Sequence, residues 1–276
     1  MKRLACLLAC LLFAGCGSGS SAPRVPSIHA ARTFRLADFR PAGKVEPGKP
    51  VTVSFAIERP NGRPLTNYRR GSGPHTGVHL IIVRDDLGSI IHRHPPVGAD
   101  GMLRQSIVLP EPGRYRVVVD AYPSGQSNFQ LFSTLDAAGR ATARPLPPFS
   151  RMVDEDGFRF TLHGSPQLKA VDASFLTITV TDPRGRPASF TPWYGALAHA
   201  IFFRARTLDY FHTHVCAPGA SGCTSFLGAT QVKGSSSTPG RLRVGVLVPV
   251  AGTWRLFLQC RANGRVLTVP FTLEVT

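Results

Sequence analysis

Long hydrophobic runs are almost absent from this 276-residue sequence. After an apolar stretch at the start of the chain, no segment is long and apolar enough to span a bilayer. No later segment keeps the period of an amphipathic helix either. Methionine is scarce, with three residues, so the sequence does not favour a thioether-rich Cu(I) site.

Acidic residues are also few, 16 against 32 lysines and arginines, which gives a formal net charge of +16. The basic residues are scattered singly, and this favours loose attraction to anionic envelope lipids or polymers over nucleic-acid binding. The serines carry no nucleophile-elbow motif, and no acid/base pair stands at a signature spacing. We therefore expect a protein that does not bind nucleic acid and is not an enzyme.

The first sixteen residues read MKRLACLLACLLFAGC, a basic start followed by an apolar run and small residues before a cysteine. This order is typical of a secretory signal, and its end resembles the lipobox of bacterial lipoproteins. The resemblance implies a signal peptide over residues 1–16, cleaved before an acylated Cys16 that anchors the protein to a membrane on the extracytoplasmic side. Residues 17–30, rich in Gly, Ser and Pro, are expected to form a flexible tether.

Short runs such as VTVSFAI, RYRVVVD and RLRVGVLV dominate the rest of the chain and alternate with turn residues, which predicts an all-β protein. The chain also repeats itself. ERPNGRPL is matched by TDPRGRPA, and LPEPGRYRVVVD by VPVAGTWRLFLQ, in the same order. We predict a tandem of two immunoglobulin-like β-sandwich domains, residues 31–145 and 146–276.

Six of the nine histidines stand in two equivalent stretches between these repeats, VHLIIVRDDLGSIIHRH and AHAIFFRARTLDYFHTH. The first reads as a β-hairpin that carries His79 back towards His92 and His94, which share a strand face. Three neutral imidazoles on a rigid sheet are suitable ligands for Cu(II) or Zn(II). His75 is a possible extra ligand, and the strand register remains open because a one-residue slip would turn His79 away.

The second stretch predicts an equivalent metal set of His199, His212 and His214. Cys216 follows on the same strand, and in an oxidising compartment its natural partner is Cys223 in a disulfide, which leaves Cys260 over. In the alternative, a reduced Cys216 would join the histidines as a thiolate ligand.

Only five of the seventeen aligned positions in the two stretches are identical, and three of them are histidines. Apolar packing residues have been exchanged freely, so the retained histidines indicate a shared chemical role. The alternative is that they form an internal polar network that fixes the hairpin without a metal.

HLIIVRDDLGSIIHRHP together with LPEPGRYRVVVD resembles uncharacterised bacterial secreted and lipid-anchored proteins, whose immunoglobulin-like domains are similar to YtkA-like ones. Some of these proteins are associated with copper or heavy-metal handling. The resemblance implies an envelope lipoprotein that binds Cu(II) or Zn(II) for buffering, sensing or delivery. The alternative is a non-catalytic structural or adhesive module that binds an envelope protein or polymer. The second copy departs from the pattern, since Pro95 is replaced by Val215 and the cysteine insertion is extra.

Overall fold

The described part of the chain consists of β-strands, turns and loops. The computed structural model describes residues 33–69, 77–164, 167–218, 234–236 and 238–276. These residues contain no helix, so none of them forms one long and apolar enough to cross a membrane. The all-β prediction is confirmed. The predictions for the signal peptide, Cys16, the tether, His75 and Cys223 fall outside the described residues.

The first sandwich packs two antiparallel sheets around an apolar core. The three-stranded sheet has the order β1 (Arg35–Pro41), β2 (Pro50–Glu58), β5 (Met102–Val108). The four-stranded sheet has the order β4 (Ile90–Arg93), β3 (Val78–Arg84), β6 (Gly113–Ala121), β7 (Phe129–Ala137). Phe55, Leu80 and Tyr115 are fully buried between the two sheets.

The second sandwich repeats this plan with more strands. They are β8 (Met152–Glu155), β9 (Phe158–His163), β10 (Ser174–Thr181), β11 (Phe190–Thr191), β12 (Ala198–Arg204), β13 (Tyr210–Cys216), β14 (Gly234–Ser235), β15 (Arg241–Val246), β16 (Gly252–Ala262) and β17 (Arg265–Val275). The short strand β14 pairs with both β13 and β15 and so joins the sheets into one hydrogen-bonded series. Phe160, Phe202 and Trp254 lie in the core of this second sandwich.

The two sandwiches belong to one compact unit and share a third apolar cluster. Successive side chains of a strand point to opposite faces, so Leu80 of β3 enters the first core while Ile81 points out of it. On β12, Phe202 likewise enters the second core while Ile201 points out of it. The outward side chains of the two domains pack on one another, in a cluster that includes Ile81, Val83, Val118, Ile201, Phe203 and Phe257. Burial on both faces explains the continuous apolar runs LIIV in β3 and AIFF in β12.

A buried arginine ties the first hairpin to the segment between β7 and β8. The side chain of Arg84 is 4% exposed and forms ion pairs with Asp86 at 2.7 Å and Glu111 at 3.2 Å. Its guanidinium also donates to the carbonyl oxygens of Pro112 and Thr142. The connecting segment is therefore held against the first domain. The predicted domain boundary at residues 145–146 falls in this segment and stays a prediction.

Replacing Arg84 by methionine should lower the free energy of unfolding by about 3 kcal/mol, because the buried Asp86 carboxylate would lose its partner. The matched control is Arg104→Met, which breaks an ion pair that is more than half exposed and should cost less than about 1 kcal/mol. Urea denaturation of both variants measures the difference. Equal losses in the two variants would contradict the role assigned to Arg84.

Candidate metal centre

The strand register places the three histidines of the first hairpin on one face. Ile81 lies opposite His92 and Leu80 opposite Arg93, so His79 stands at the level of His94. His79, His92 and His94 therefore share the face that carries Ile81, which is the face turned towards the second domain. The sequence did not determine the strand register. The observed register brings these three imidazoles together.

The second hairpin has the same register. His199 lies opposite His214, and Ile201 lies opposite His212. Cys216 ends the same strand and is disulfide-bonded, while its predicted partner Cys223 lies outside the described residues. A disulfide sulfur is not a thiolate, so Cys216 does not act as a thiolate ligand in this arrangement. The remaining cysteine, Cys260, is a free thiol buried in the core of the second domain.

The six histidines meet in one group, which we call the histidine cluster: His79, His92, His94, His199, His212 and His214. Nδ1 of His79 lies 3.1 Å from Nδ1 of His212, across the boundary between the domains. The rings of His92 and His199, which also come from different domains, have centroids 4.8 Å apart. The sequence predicted two separate sites, and the structure brings them into one.

Three sets of three histidines in the cluster have ligand nitrogens within 4.8 Å of one another. The first is the predicted set of the first hairpin, and the other two combine residues of both domains. The members of the predicted second set are divided between these two. The sets are His79/His92/His94, His79/His212/His214 and His92/His199/His212.

In the set His92/His199/His212, two ring nitrogens that point away from the other ligands face oxygen acceptors. Nδ1 of His92 lies 3.0 Å from Oε1 of Gln259, and Nε2 of His199 lies 3.0 Å from the carbonyl oxygen of Trp193. Because these oxygens are acceptors, both nitrogens carry hydrogens and donate them. Such outer partners fix the tautomer and ring orientation of metal-binding histidines.

The third member, His212, has two polar groups near its Nδ1. Oδ2 of Asp120 lies 3.6 Å from this nitrogen, and Nδ1 of His79 lies 3.1 Å from it. With the hydrogen on Nδ1, the lone pair of His212 is on Nε2. That atom lies 3.4 Å from Nδ1 of His199, which also carries a lone pair because its hydrogen is on Nε2.

In this tautomer of His212, two lone pairs face each other at 3.4 Å, and a cation between them would remove their repulsion. Two ligands on one tetrahedral ion with bonds of 2.0–2.1 Å are about 3.4 Å apart. One ring nitrogen of His92 also lies within 4.8 Å of a ring nitrogen of each of the other two histidines. The residues therefore fit a Zn(II)- or Cu(II)-sized ion.

Burial keeps the imidazoles neutral. The pKa of His79, His199 and His212 lies well below the usual range of histidine. Desolvation is the largest cause, and repulsion from the neighbouring histidines is the second. Desolvation also lowers the pKa of His92 to about 3, against a raising contribution from Gln259. Neutral imidazole is the form that binds a metal ion. The cluster therefore presents nitrogen lone pairs at neutral pH without prior loss of protons.

Asp120 is the one acidic residue beside the cluster among the described residues, and it is 1% exposed. Burial raises its pKa to about 6, against hydrogen bonds from Tyr122, Tyr210 and Gln130 that lower it. Because the pKa of His212 is lowered as well, the two groups do not form a pair of full charges at neutral pH. Asp120 instead acts as an acceptor beside a neutral imidazole.

Sequence reasoning missed Asp120, Gln259 and the aromatic pair Trp193 and Tyr194. Tyr194 stacks on His94 with centroids 4.0 Å apart, and Trp193 meets His92 edge-on at 5.7 Å. A signal existed for Asp120 and Gln259, because they end the matching repeats RYRVVVD and TWRLFLQ. They also lie opposite His79 and His199 in the neighbouring strands.

Solved structures similar to this chain include invasin, a bacterial integrin-binding protein, with 16% identity and a TM-score of 0.25. A tetra-tandem repeat of a large adhesion protein has 11% identity and a TM-score of 0.28. The alignments cover 88% and 89% of this chain but only 39% and 49% of those two chains. A two-domain fibronectin type III segment of chicken tenascin has 12% identity and a TM-score of 0.26, with 87% and 98% of the chains covered. At these identities the likeness concerns the fold alone.

Comparison with curated proteins finds no match. One family model does match, that of a domain of unknown function, DUF8832, over residues 35–137 and 151–276. These residues include both histidine hairpins and most of the two sandwiches. The chain therefore belongs to the DUF8832 family.

Proposed function

We propose that this protein binds one transition-metal ion, Cu(II) or Zn(II), between its two domains through His92, His199 and His212. The observation that carries the proposal is the convergence of ring nitrogens of these three histidines within 4.8 Å of one another, with His199 Nδ1 3.4 Å from His212 Nε2. Each ligand has its other nitrogen directed at an acceptor, namely Gln259, Trp193 or the Asp120 side. Borderline nitrogen donors of this kind suit Zn(II) and Cu(II).

The other three histidines would form a surrounding layer. His94 lies 3.2 Å from His92 and His79 lies 3.1 Å from His212, in each case nitrogen to nitrogen. They could hold the ligands in place or take over the ion as it enters or leaves. This favours buffering, sensing or delivery of the metal over catalysis. We place the protein at an extracytoplasmic membrane surface, anchored through Cys16, in line with the lipobox resemblance of its first residues.

A second candidate function is a structural or adhesive module whose histidines fix the domains without an ion. What favours it is that the same nitrogen contacts could form a hydrogen-bonded chain. His199 donates to Trp193, so His212 would donate from Nε2 to His199 and accept from His79. That tautomer turns a lone pair of His212 towards the Asp120 carboxylate at 3.6 Å, which makes it the less favourable arrangement.

Titration of chelator-stripped protein with Zn(II) and Cu(II) tests the proposal. We expect one ion per chain, and Cu(II) should quench the fluorescence of Trp193, whose ring lies 5.5 Å from that of His199. Because burial holds the pKa of the three ligand imidazoles well below 6.5, the affinity should change little as the pH falls from about 7.5 to about 6.

His163 supplies a matched control. It lies outside the cluster and hydrogen-bonds Thr179 at the surface, so His163→Gln should bind the metal as the unaltered chain does. Retention of binding in the double variant His92→Gln/His212→Gln, or no uptake by the unaltered chain, would overturn the proposal and favour the structural module.

A further inference from the structure

A cavity of about 440 Å³ opens between the two domains next to the histidine cluster. Its volume is within the range of sites that take small organic molecules. The first domain contributes Tyr122 and Asn128 to its lining, and the second contributes Val171, Tyr210 and Leu247 among others. We infer that this cavity binds a small uncharged aromatic molecule, a function separate from the proposed metal site.

The cavity presents no charged group to a ligand. Two of its lining residues, Asp120 and His212, are of a type that can carry a charge, and the side chain of each is only 1% exposed. Oδ2 of Asp120 accepts hydrogen bonds from the hydroxyl groups of Tyr122 and Tyr210, each at 3.1 Å. No lysine or arginine is among the described residues of the lining. A charged ligand would therefore lose hydration without gaining a partner, which favours an uncharged one.

Val171 is held in a strained conformation where it borders the cavity. Its φ is 55°, in the left-handed region, which is rare for a side chain branched at Cβ. The N–H group of Val171 donates to the carbonyl oxygen of Val248 at 2.8 Å, which fixes this part of the chain. The side chain is 77% exposed, so packing inside the protein does not offset the strain. Strain of this kind is typical of ligand-binding residues, and a molecule in the cavity would cover this side chain.

The accessible part of the lining is apolar and partly aromatic. Val171 and Pro249 are exposed and Leu247 is half-buried. Tyr210 and Phe211 add aromatic rings. The hydroxyl group of Tyr210 is bonded to the buried carboxylate, so its ring is the part that remains for a ligand. Such walls favour an aromatic ligand, which gains both from the burial of apolar area and from contact between rings.

N-phenylnaphthylamine is a suitable probe, because it is uncharged and its fluorescence rises in an apolar site. For metal-free protein we expect a dissociation constant of about 0.1 mM or lower. Three competitors with one ring system then test the charge preference: naphthalenemethanol, naphthoate and naphthylmethylammonium. The alcohol should displace the probe at a concentration at least about tenfold lower than either ion, because each ion would have to lose its hydration.

Two matched valine variants locate the site. Val171→Asp replaces the exposed apolar side chain by a carboxylate of similar size, and the fold should be kept because aspartate tolerates a positive φ. This variant should bind the probe at least about tenfold more weakly, since it places a charge in the apolar lining. Val250→Asp makes the same change at another exposed valine, outside the lining of the cavity, and should leave binding unchanged.

Unchanged binding of the probe by Val171→Asp would overturn the inference. Displacement by either ion as readily as by the alcohol would overturn it as well, and so would the absence of a saturable rise in fluorescence with the unaltered chain. Since the protein in these assays is metal-free, the outcomes are independent of the metal proposal.

Discussion

His199→Gln should weaken Zn(II) binding by more than about 100-fold, whereas His94→Gln and His214→Gln should each weaken it by no more than about 100-fold. Loss of an outer partner alone typically costs 10 to 100-fold in metal affinity, so loss of a ligand costs more. Each of the three residues belongs to only one of the three convergent sets. His199 belongs to the set that we propose as the metal site.

Competition with a chromophoric chelator measures the three affinities side by side. Glutamine keeps a polar side chain of similar length at each position, so the variants differ mainly in the lost imidazole. If His94→Gln caused the largest loss, the ion would be held by the first hairpin alone. If His214→Gln did, the ion would lie on the His79 and His212 side. Either result would contradict the proposed ligand set.

The fold could be predicted from local patterns. Alternating apolar runs, turn residues and an internal repeat indicated two all-β sandwiches, and the strands follow those runs. The hairpin around Gly88 also followed from its turn residues, and it brings His79 to the level of His94. These features depend on residues close in sequence, where strand alternation and turn geometry decide the outcome.

The single cluster could not be predicted in the same way, because it depends on how the two sandwiches pack on each other. Strand alternation determines that His79 and Ile81 share a face, but not which surface that face meets. One hint was present in the repeat. Ile81 and Ile201 are identical where other packing residues have changed, and both lie in the contact between the domains.

The outer partners show the value of comparing repeats by strand position. Asp120 and Gln259 occupy equivalent places beside His79 and His199, yet each approaches a histidine of the other domain. Asp120 faces His212, and Gln259 bonds His92. This reciprocal arrangement makes the two halves of the cluster alike in geometry and different in charge. The carboxylate is on the His212 side only.

Acidification of the metal-free protein from about pH 8 to about pH 5 should lower the free energy of unfolding by roughly 7 kcal/mol. The pKa of four cluster histidines is lowered by burial: His79, His92, His199 and His212. In the unfolded chain these imidazoles take up protons below a pKa of about 6.5, while in the folded chain they remain neutral. Each of these imidazoles therefore lowers the free energy of unfolding by about 2 kcal/mol at pH 5.

Asp120 works in the opposite direction. Its pKa is about 6 in the folded protein and near 3.9 in an unfolded chain, so below pH 6 the folded state binds the extra proton and gains about 1 kcal/mol at pH 5. Asp100, Asp154 and Asp182, which are paired with arginines, have lowered pKa values and titrate below this pH range. The effect of the four histidines exceeds that of the one carboxylate, so the free energy of unfolding falls. The net loss is comparable to the whole stability of many domains.

Urea denaturation at the two pH values measures this loss. His199→Phe removes one of the four imidazoles and should reduce the loss by about 2 kcal/mol. Equal losses in His199→Phe and the unaltered chain would show that His199 is not held neutral in the folded state. Zn(II) should raise the free energy of unfolding at both pH values, because the ion binds the folded chain.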